Sequence, residues 1–469
     1  MQKKHVNDGV CLDAKTLKNA EIVQDKSVQT GFAGIAFVIS ILHTAACLSK
    51  LDALFPAPGG HHWNWIPFST VARLMIAMMC LRHPRFEDAG KLGMDELVSA
   101  VAGRRVSPES LRQKMDMLAR HPRASAIVAE AALQLAAKAS MQKAECGTDR
   151  LIPLDIDPTP LDSSGSKKEK TGPTYDGGWG YCPMTSFAGT VPLLPELRPG
   201  PQHSINGTPD FMDRCFAGTD TISIPRESLL VRADCGMDGA VLMERLLDGR
   251  APFIIKRNPR GARHLSGTEL LKQAKARGAE PETDSARPGR SYCRFEIGDC
   301  PKGLEGRGVR CIAEVRVDVW NDRGQRRLSE ELGTVGAAWW TSLPEADPKT
   351  VAMLYHDHAA MEQHHGEIKS DLGIERLPSG KFETNSLYYQ LSGIAMTVLR
   401  IIGDRALKCD PGVSPRGSRP KQKRLRLRTI LERYIFVPGR LVWHARRFKI
   451  AIGRGYAHFK AFKEMHALC

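Results

Sequence analysis

Leu151-Ile152-Pro153-Leu154-Asp155-Ile156-Asp157 is a short apolar run that ends in acid, and its reading decides the fold. Side chains alternate along a strand, so Asp155 and Asp157 share one face. Downstream, SLLVRAD (228–234) is a second apolar strand running into an acid, Asp234. Residues 239–247 then read as a helix and 252–256 as a third strand. Strands alternating with helices predict an α/β core. The carboxyl end of a strand is where such folds place functional groups. Carboxylates gathered there make a hard-oxygen site suited to Mg²⁺ or Mn²⁺. For either strand alone, a turn or cap acid is the plainer reading.

Outward from this core the text changes character. Residues 1–145 read as a helical N-terminal domain, with apolar residues at helical spacing in 71–81 and 124–139. Ser107-Pro108-Glu109 is a helix start, with Ser as N-cap and Pro in the first turn. The helix it opens carries Arg112, Lys114 and Arg120, which suits either a helix-turn-helix DNA reader or a plain bundle. The core is expected over 150–263 and 337–403. Between them, 264–336 reads as a β-rich insertion, because 292–297 and 309–320 alternate apolar and polar residues. Residues 348–372 and 385–402 read as helices.

The composition is that of a globular chain, and its charge is unevenly placed. Lys and Arg total 67 against 52 Asp and Glu, a net of +15. Residues 404–469 hold 17 Lys/Arg and four Asp/Glu, so this end alone carries +13 and the remaining 403 residues only +2. A near-neutral body with one basic end predicts a grip on a polyanion. The run PRGSRPKQKRLRLR (415–428), with Arg424, Arg426 and Arg428, fits sequence-independent phosphate contact. Arg440, Arg446, Arg447 and Lys449 continue it among Trp443 and Phe448. The 12 cysteines form no CxxC pair, so zinc-ribbon chemistry is excluded and a cytoplasmic setting with free thiols is expected. The one long apolar stretch, 32–48, falls short of the ~20 residues that span a bilayer and reads as a buried helix.

The 348–372 helix carries the most specific signal. At about 100° per residue, Tyr355, His358, Glu362 and Lys369 fall on one polar stripe. Leu354, Met361, Ile368 and Leu372 form an apolar stripe beside it, while Glu367 lies well round the helix. The spacing Tyr-x2-His-x3-Glu-x6-Lys resembles the Tyr-x2-Arg-x3-Glu-x6-Lys signature of bacterial insertion-sequence DDE transposases, the insertion sequence 4 superfamily. LDIDPT (154–159) is similar to the Asp-x-Thr strand of that family's first acid, and VRADCGM (231–237) to its second-acid motif. LRPGPQHSING (197–207) and RLPSGKFETN (376–385) resemble the insertion sequence 1380 branch. In this chain His358 stands where the family has Arg, a residue with a permanent forked charge.

The resemblance implies an RNase H-like core, a basic C-terminal region contacting DNA, and catalysis by Asp157, Asp234 and Glu362. Asp157 is preferred because it precedes Thr159 by two; Asp155 is the alternative. The same three acids would hold Mg²⁺ or Mn²⁺, two ions about 3.5–4 Å apart that serve the attacking and leaving oxygens of a phosphodiester. Tyr355, His358 and Lys369 would contact DNA near the cut. The implied activity is binding of terminal inverted repeats, cleavage, and joining of 3′ ends to double-stranded target DNA by a homodimer, away from any membrane. Two rivals stand beside it: a catalytically impaired, transposase-derived DNA-binding protein, and a zinc site built from His356, His358, His364 and His365.

Overall fold

The computed structural model describes residues 27–56, 65–410, 424–444 and 446–468. The polar stretch 1–26 and the part of the basic run at 415–423 lie outside the described residues. The first part of the chain is helical, and the longer helices among its described residues are α1 (Ile35–His43), α2 (Phe68–Cys80), α3 (Pro108–Arg120) and α4 (Ala124–Ala136). The Ser107 hydroxyl accepts from the Ser110 amide and Pro108 sits in the first turn, so α3 starts where the sequence places it. The apolar 32–48 stretch becomes α1 and then bends by 80° into Ala46–Leu54, with Ile35, Phe37, Val38, Ile41 and Leu42 buried. No single helix among the described residues is long and apolar enough to cross a membrane.

The centre is one ten-stranded mixed sheet. In chain order it takes β1 (Asp149–Pro158), β2 (Met184–Ala188), β3 (Val191–Glu196), β4 (Leu229–Ala233) and β5 (Phe253–Lys256). It continues through β6 (Arg290–Ile297), β7 (Arg310–Asp318) and β8 (Thr334–Thr341). The spatial order is β6-β7-β8-β5-β4-β1-β2-β3, with the short strand Glu282–Thr283 outside β6 and Ala144–Cys146 on β1. β1, β4 and β5 run parallel; β2 and β3 add to β1 as antiparallel neighbours. The β-rich stretch expected at 264–336 extends this same sheet, because β8 pairs antiparallel with β5.

Both faces of the sheet are covered. Ile152, Leu154 and Ile156 of β1 pack with Val231 and Ile255 beneath α5 (Thr208–Thr221), α6 (Ala240–Asp248) and α7 (Gly267–Ala276). On the other face Leu151, Leu230, Ile254 and Trp339 pack against Val351, Ala352 and Leu354 of α8 (Pro348–His356). The helix expected at 348–372 is not continuous. After α8 comes a 3₁₀ turn, Asp357–Ala359, then α9 (Ala360–Gly366), then a π-helical turn, Glu367–Asp371. Each irregular turn holds a side chain anchored in the interior, His358 on Asp155 and Glu367 on Arg400.

α10 (Phe382–Cys409) runs through the helical body and is buried for most of its 28 residues. From it Arg400 reaches Glu367, which is 1% exposed. Arg424 donates to the other Glu367 oxygen (2.7 Å), and so does the Leu427 amide (3.1 Å). The C-terminal region is thereby locked into the body. Leu425, Leu427, Ile430, Leu431, Tyr434, Ile435 and Val437 are all 2% exposed or less. At Gly34 a Cβ would lie 1.8 Å from the Tyr434 carbonyl oxygen, so the entry to α1 requires glycine there. A hairpin of β9 (Gly439–His444) and β10 (Arg447–Ile452) pairs with Gln29–Thr30, and α11 (Phe459–Ala467) closes the fold.

Two predictions follow from this clamp. Seven buried side chains at about 1.5–3 kcal/mol each rival the whole stability of a domain, about 5–15 kcal/mol. Deleting 424–468 is therefore expected to give insoluble or unfolded protein, read by soluble yield and circular dichroism. Beside Glu367, burial pushes the His364 imidazole down to about 4. A histidine whose folded pKa is depressed stabilises the fold above its unfolded value, near ~6.5. That stability is lost as pH falls from there toward 4, by up to about 1.4 kcal/mol per unit. Melting temperature is expected to fall through this window in the native chain, with a shallower slope in His364→Phe.

Candidate active site

Asp155 and Arg232 face each other in register on the parallel strands β1 and β4. The guanidinium grips both Asp155 oxygens, at 2.6 and 2.7 Å, and also donates to the Leu354 carbonyl at the end of α8. His358 Nδ1 lies 2.9 Å from Asp155 Oδ1. All three side chains are buried. Burial opposes ionisation of Asp155, but Arg232 and His358 outweigh it and hold the carboxyl below its ordinary range. Asp155 is thus fully engaged in structure.

Two residues on from each member of this pair stands an acid that the sequence places in the site. Asp157 follows Asp155 on the same face of β1, and Asp234 follows Arg232 at the end of β4. Asp234 caps the turn Cys235–Met237 by accepting from the Gly236 amide (3.1 Å). Its carboxyl is pushed up, first by burial and then by the charge of Asp157. Two carboxylates at adjacent strand ends therefore repel one another, a strain that a bound cation would relieve.

Glu362 is exposed on α9. It stands one turn after His358, which touches Asp155, and three residues before His365, whose Nε2 lies 3.5 Å from Asp157. Residues at i and i+3 of an α-helix are neighbours, so Glu362 stands beside His365 on α9, but its exposed carboxylate makes no hydrogen bond or ion pair with Asp157 or Asp234 among the described residues. Among the described residues, no three His, Cys, Asp or Glu side chains converge closely enough to hold a metal ion. Tyr355 packs between Trp339 and His358, with ring centroids 5.5 Å away in each case. Its hydroxyl is pushed up by burial and then by Asp234. The charge of Lys369 acts on Asp176 and Cys182, both beside the acid strands.

Other expected residues are placed differently. His358, expected to face DNA, is 7% exposed and turned inward, because the Asp155 carboxylate has room for a ring nitrogen beside Arg232. Arg424 is committed to Glu367 and Gln363. Arg426 pairs with Asp371 and Arg428 with Glu432, although both arginines remain more than half exposed. The histidines of the zinc alternative disperse: His356 meets Glu314, His358 Asp155, His364 Glu367 and His365 Asp157.

Beside the acids stand two residues for which the sequence gives no role in the acid site: it places His365 only in the zinc alternative and gives Tyr175 none. His365 is buried behind Asp157 with neither ring nitrogen hydrogen-bonded, and its i+3 spacing from Glu362 was the available signal. Tyr175 donates to the Pro158 carbonyl (3.2 Å), and its hydroxyl is pushed up by desolvation and then by Asp157 and Asp234. The glycine-rich text around it, TYDGGWG (174–180), gives only a turn.

The chain was compared with known proteins. No curated protein matches it. Among solved structures it is similar to a piggyBac transposase in a synaptic complex with hairpin DNA, seen by cryo-EM. The identity is 10% and the TM-score 0.42, over 85% of this chain and 78% of that one. The family model for the transposase DDE domain matches residues 152–398, more than half of the 469 and a span that contains Asp157, Asp234 and Glu362. The chain belongs to the DDE-domain transposases.

Proposed function

We propose that this chain is an insertion-sequence transposase of the 1380 branch. In this reading it binds the terminal inverted repeats of its element, cleaves phosphodiester bonds there and joins the 3′ ends to target DNA. The observation that carries the proposal is the pair Asp157 and Asp234, set at the ends of adjacent parallel strands and left to repel each other, inside the matched transposase domain. The order β3-β2-β1-β4-β5, three antiparallel strands followed by two parallel ones, supports an RNase H-like core. A homodimer acting on DNA in a bacterial cytoplasm completes the proposal.

The donor set fits a hard divalent cation. Asp157, Asp234 and Glu362 would hold Mg²⁺ or Mn²⁺, and α9 would bring Glu362 to the strands when DNA and cation are present. When bound, the ions supply electrostatic stabilisation to the attacking and leaving oxygens. The chain does the rest by position. Arg232 and Asp155 fix the strand ends, and Tyr355 and Lys369 flank the acids where a DNA strand would lie. Arg426 and Arg428 are exposed enough to trade a carboxylate for a phosphate.

Asp157→Asn, Asp234→Asn and Glu362→Gln are each expected to lower Mg²⁺-dependent cleavage of a DNA end by at least about 10²-fold, with end binding retained. Mn²⁺ should substitute for Mg²⁺, and Ca²⁺ should support binding with little cutting. Cleavage that survives thorough chelation would reject the proposal, and binding without any cleavage by the native chain would favour the impaired, binding-only alternative.

Asp155→Asn separates structure from chemistry. It leaves the Arg232 guanidinium buried without its counter-ion, at a cost of about 3–5 kcal/mol, so the melting temperature should drop sharply. Asp157→Asn removes a like-charge repulsion, so in metal-free buffer its melting temperature should hold or rise. If Asp155→Asn kept full stability and lost cleavage while Asp157→Asn kept cleavage, Asp155 would be the first acid.

A further inference from the structure

The β9–β10 hairpin has two unlike faces. Register pairs Leu441 with Ile450 and Trp443 with Phe448 on one face. On the other, Arg440 meets Ala451, Val442 meets Lys449, and His444 meets Arg447. At the base of the first face, Leu441, Ile450 and Ile452 pack on the core. Toward the tip that face runs past the body. Trp443 is 74% exposed and Phe448 44%, with ring centroids 5.5 Å apart. Two large aromatic rings thus stand side by side at the surface, where they contribute less to folding than buried rings would.

The charge around them is of one sign. Residues 439–454 hold Arg440, Arg446, Arg447, Lys449 and Arg454 and no Asp or Glu. These five are exposed, and among the described residues none forms an ion pair or a side-chain hydrogen bond. That separates them from Arg424, Arg426 and Arg428, which the fold neutralises with its own carboxylates. Arg446 even holds a left-handed backbone, φ 62°, at the turn, where Gly or Asn would sit without strain. A cation is kept at the tip at a conformational cost.

From this juxtaposition we propose that the hairpin binds unpaired DNA, with Trp443 and Phe448 as a platform for a base and the cations of the tip and the opposite face, Arg446, Arg447 and Lys449, reaching the backbone phosphates that pass round the hairpin edge. Aromatic side chains stack on any exposed base, and a basic rim tracks the strand. A fully paired duplex hides its base faces, so the partner is a single-stranded overhang or frayed end, the kind of DNA that end cleavage produces. The inference rests on the DNA-cleaving reading above but uses a surface that shares no residue with the acid site.

The test uses the full chain and two probes, a blunt duplex and the same duplex with a short single-stranded overhang carrying 2-aminopurine. Fluorescence anisotropy gives affinity, and 2-aminopurine emission reports stacking. The native chain is expected to bind the overhang more tightly and to quench the emission. Trp443→Ala should lose the quench and about tenfold in overhang affinity, with blunt-duplex affinity within twofold. Trp443→Phe should keep most of both. Changing Arg446, Arg447 and Lys449 together to Ala should flatten the salt slope by up to about 2 on single strands. A Trp443→Ala chain that melts and cleaves like the native one and still quenches would overturn the proposal and leave the transposase reading intact. So would a variant whose only change is in its oligomeric state, which would give the surface to a second copy. A native chain that binds neither probe would sink both readings together.

Discussion

The buried pair between Asp155 and Arg232 is the contact on which the geometry of the acid site depends. Both charges lie in the interior, where an unpaired ion costs several kcal/mol, so the two strands that carry them are held in one register. Strand side chains alternate with a period of two. Asp157 and Asp234 each follow a member of the pair by two residues, so fixing the pair fixes both acids at one edge of the sheet. The third guanidinium contact, on the Leu354 carbonyl, and the imidazole of His358 bring the helical segment to the same point. One ion pair thus aligns the two strands and the helical segment that supply the expected catalytic residues.

The strands were legible because their pattern is local. An apolar run ending in acid reads the same before and after folding, and β1, β4 and β5 lie within a few residues of where the sequence places them. The helix after β8 was legible as helix but not as two α-helices each followed by an irregular turn. Its interruptions arise from Asp155 and Arg400, more than 200 and more than 30 residues from the side chains they anchor, and nothing in the 348–372 text encodes those partners. His358 misled for the same reason. The polar stripe assumes one unbroken helix, whereas His358 sits in the 3₁₀ turn and the direction of its ring depends on a carboxylate from another strand.

The C-terminal region misled in a different way. RLRLRTILERYI (424–435) reads by charge as a basic tail, yet its leucines alternate with the arginines, and that alternation was the overlooked signal. Leu425 and Leu427 go inward while Arg424, Arg426 and Arg428 meet Glu367, Asp371 and Glu432. Counting net charge treats these arginines and those of the β9–β10 hairpin alike. Folding divides them into cations neutralised within the chain and cations that are not.

The same division applies to the acids, and it separates framework from chemistry. Asp155 and Glu367 each meet arginine in the interior, and the buried Asp371 meets the exposed Arg426. Asp157 and Asp234 stand at adjacent strand ends with no arginine paired to either among the described residues, and Asp234 is pushed toward its neutral form first by burial and then by the charge of Asp157. A sheet that can afford a guanidinium for Asp155 has the means to neutralise the next acid along the strand. Leaving Asp157 and Asp234 without an arginine, with only the His365 ring 3.5 Å from Asp157, gives up stability at an edge where a cation from solution could restore it. That is the arrangement the proposed metal-dependent cleavage would use, because a carboxylate already neutralised by arginine is a weaker ligand for a cation.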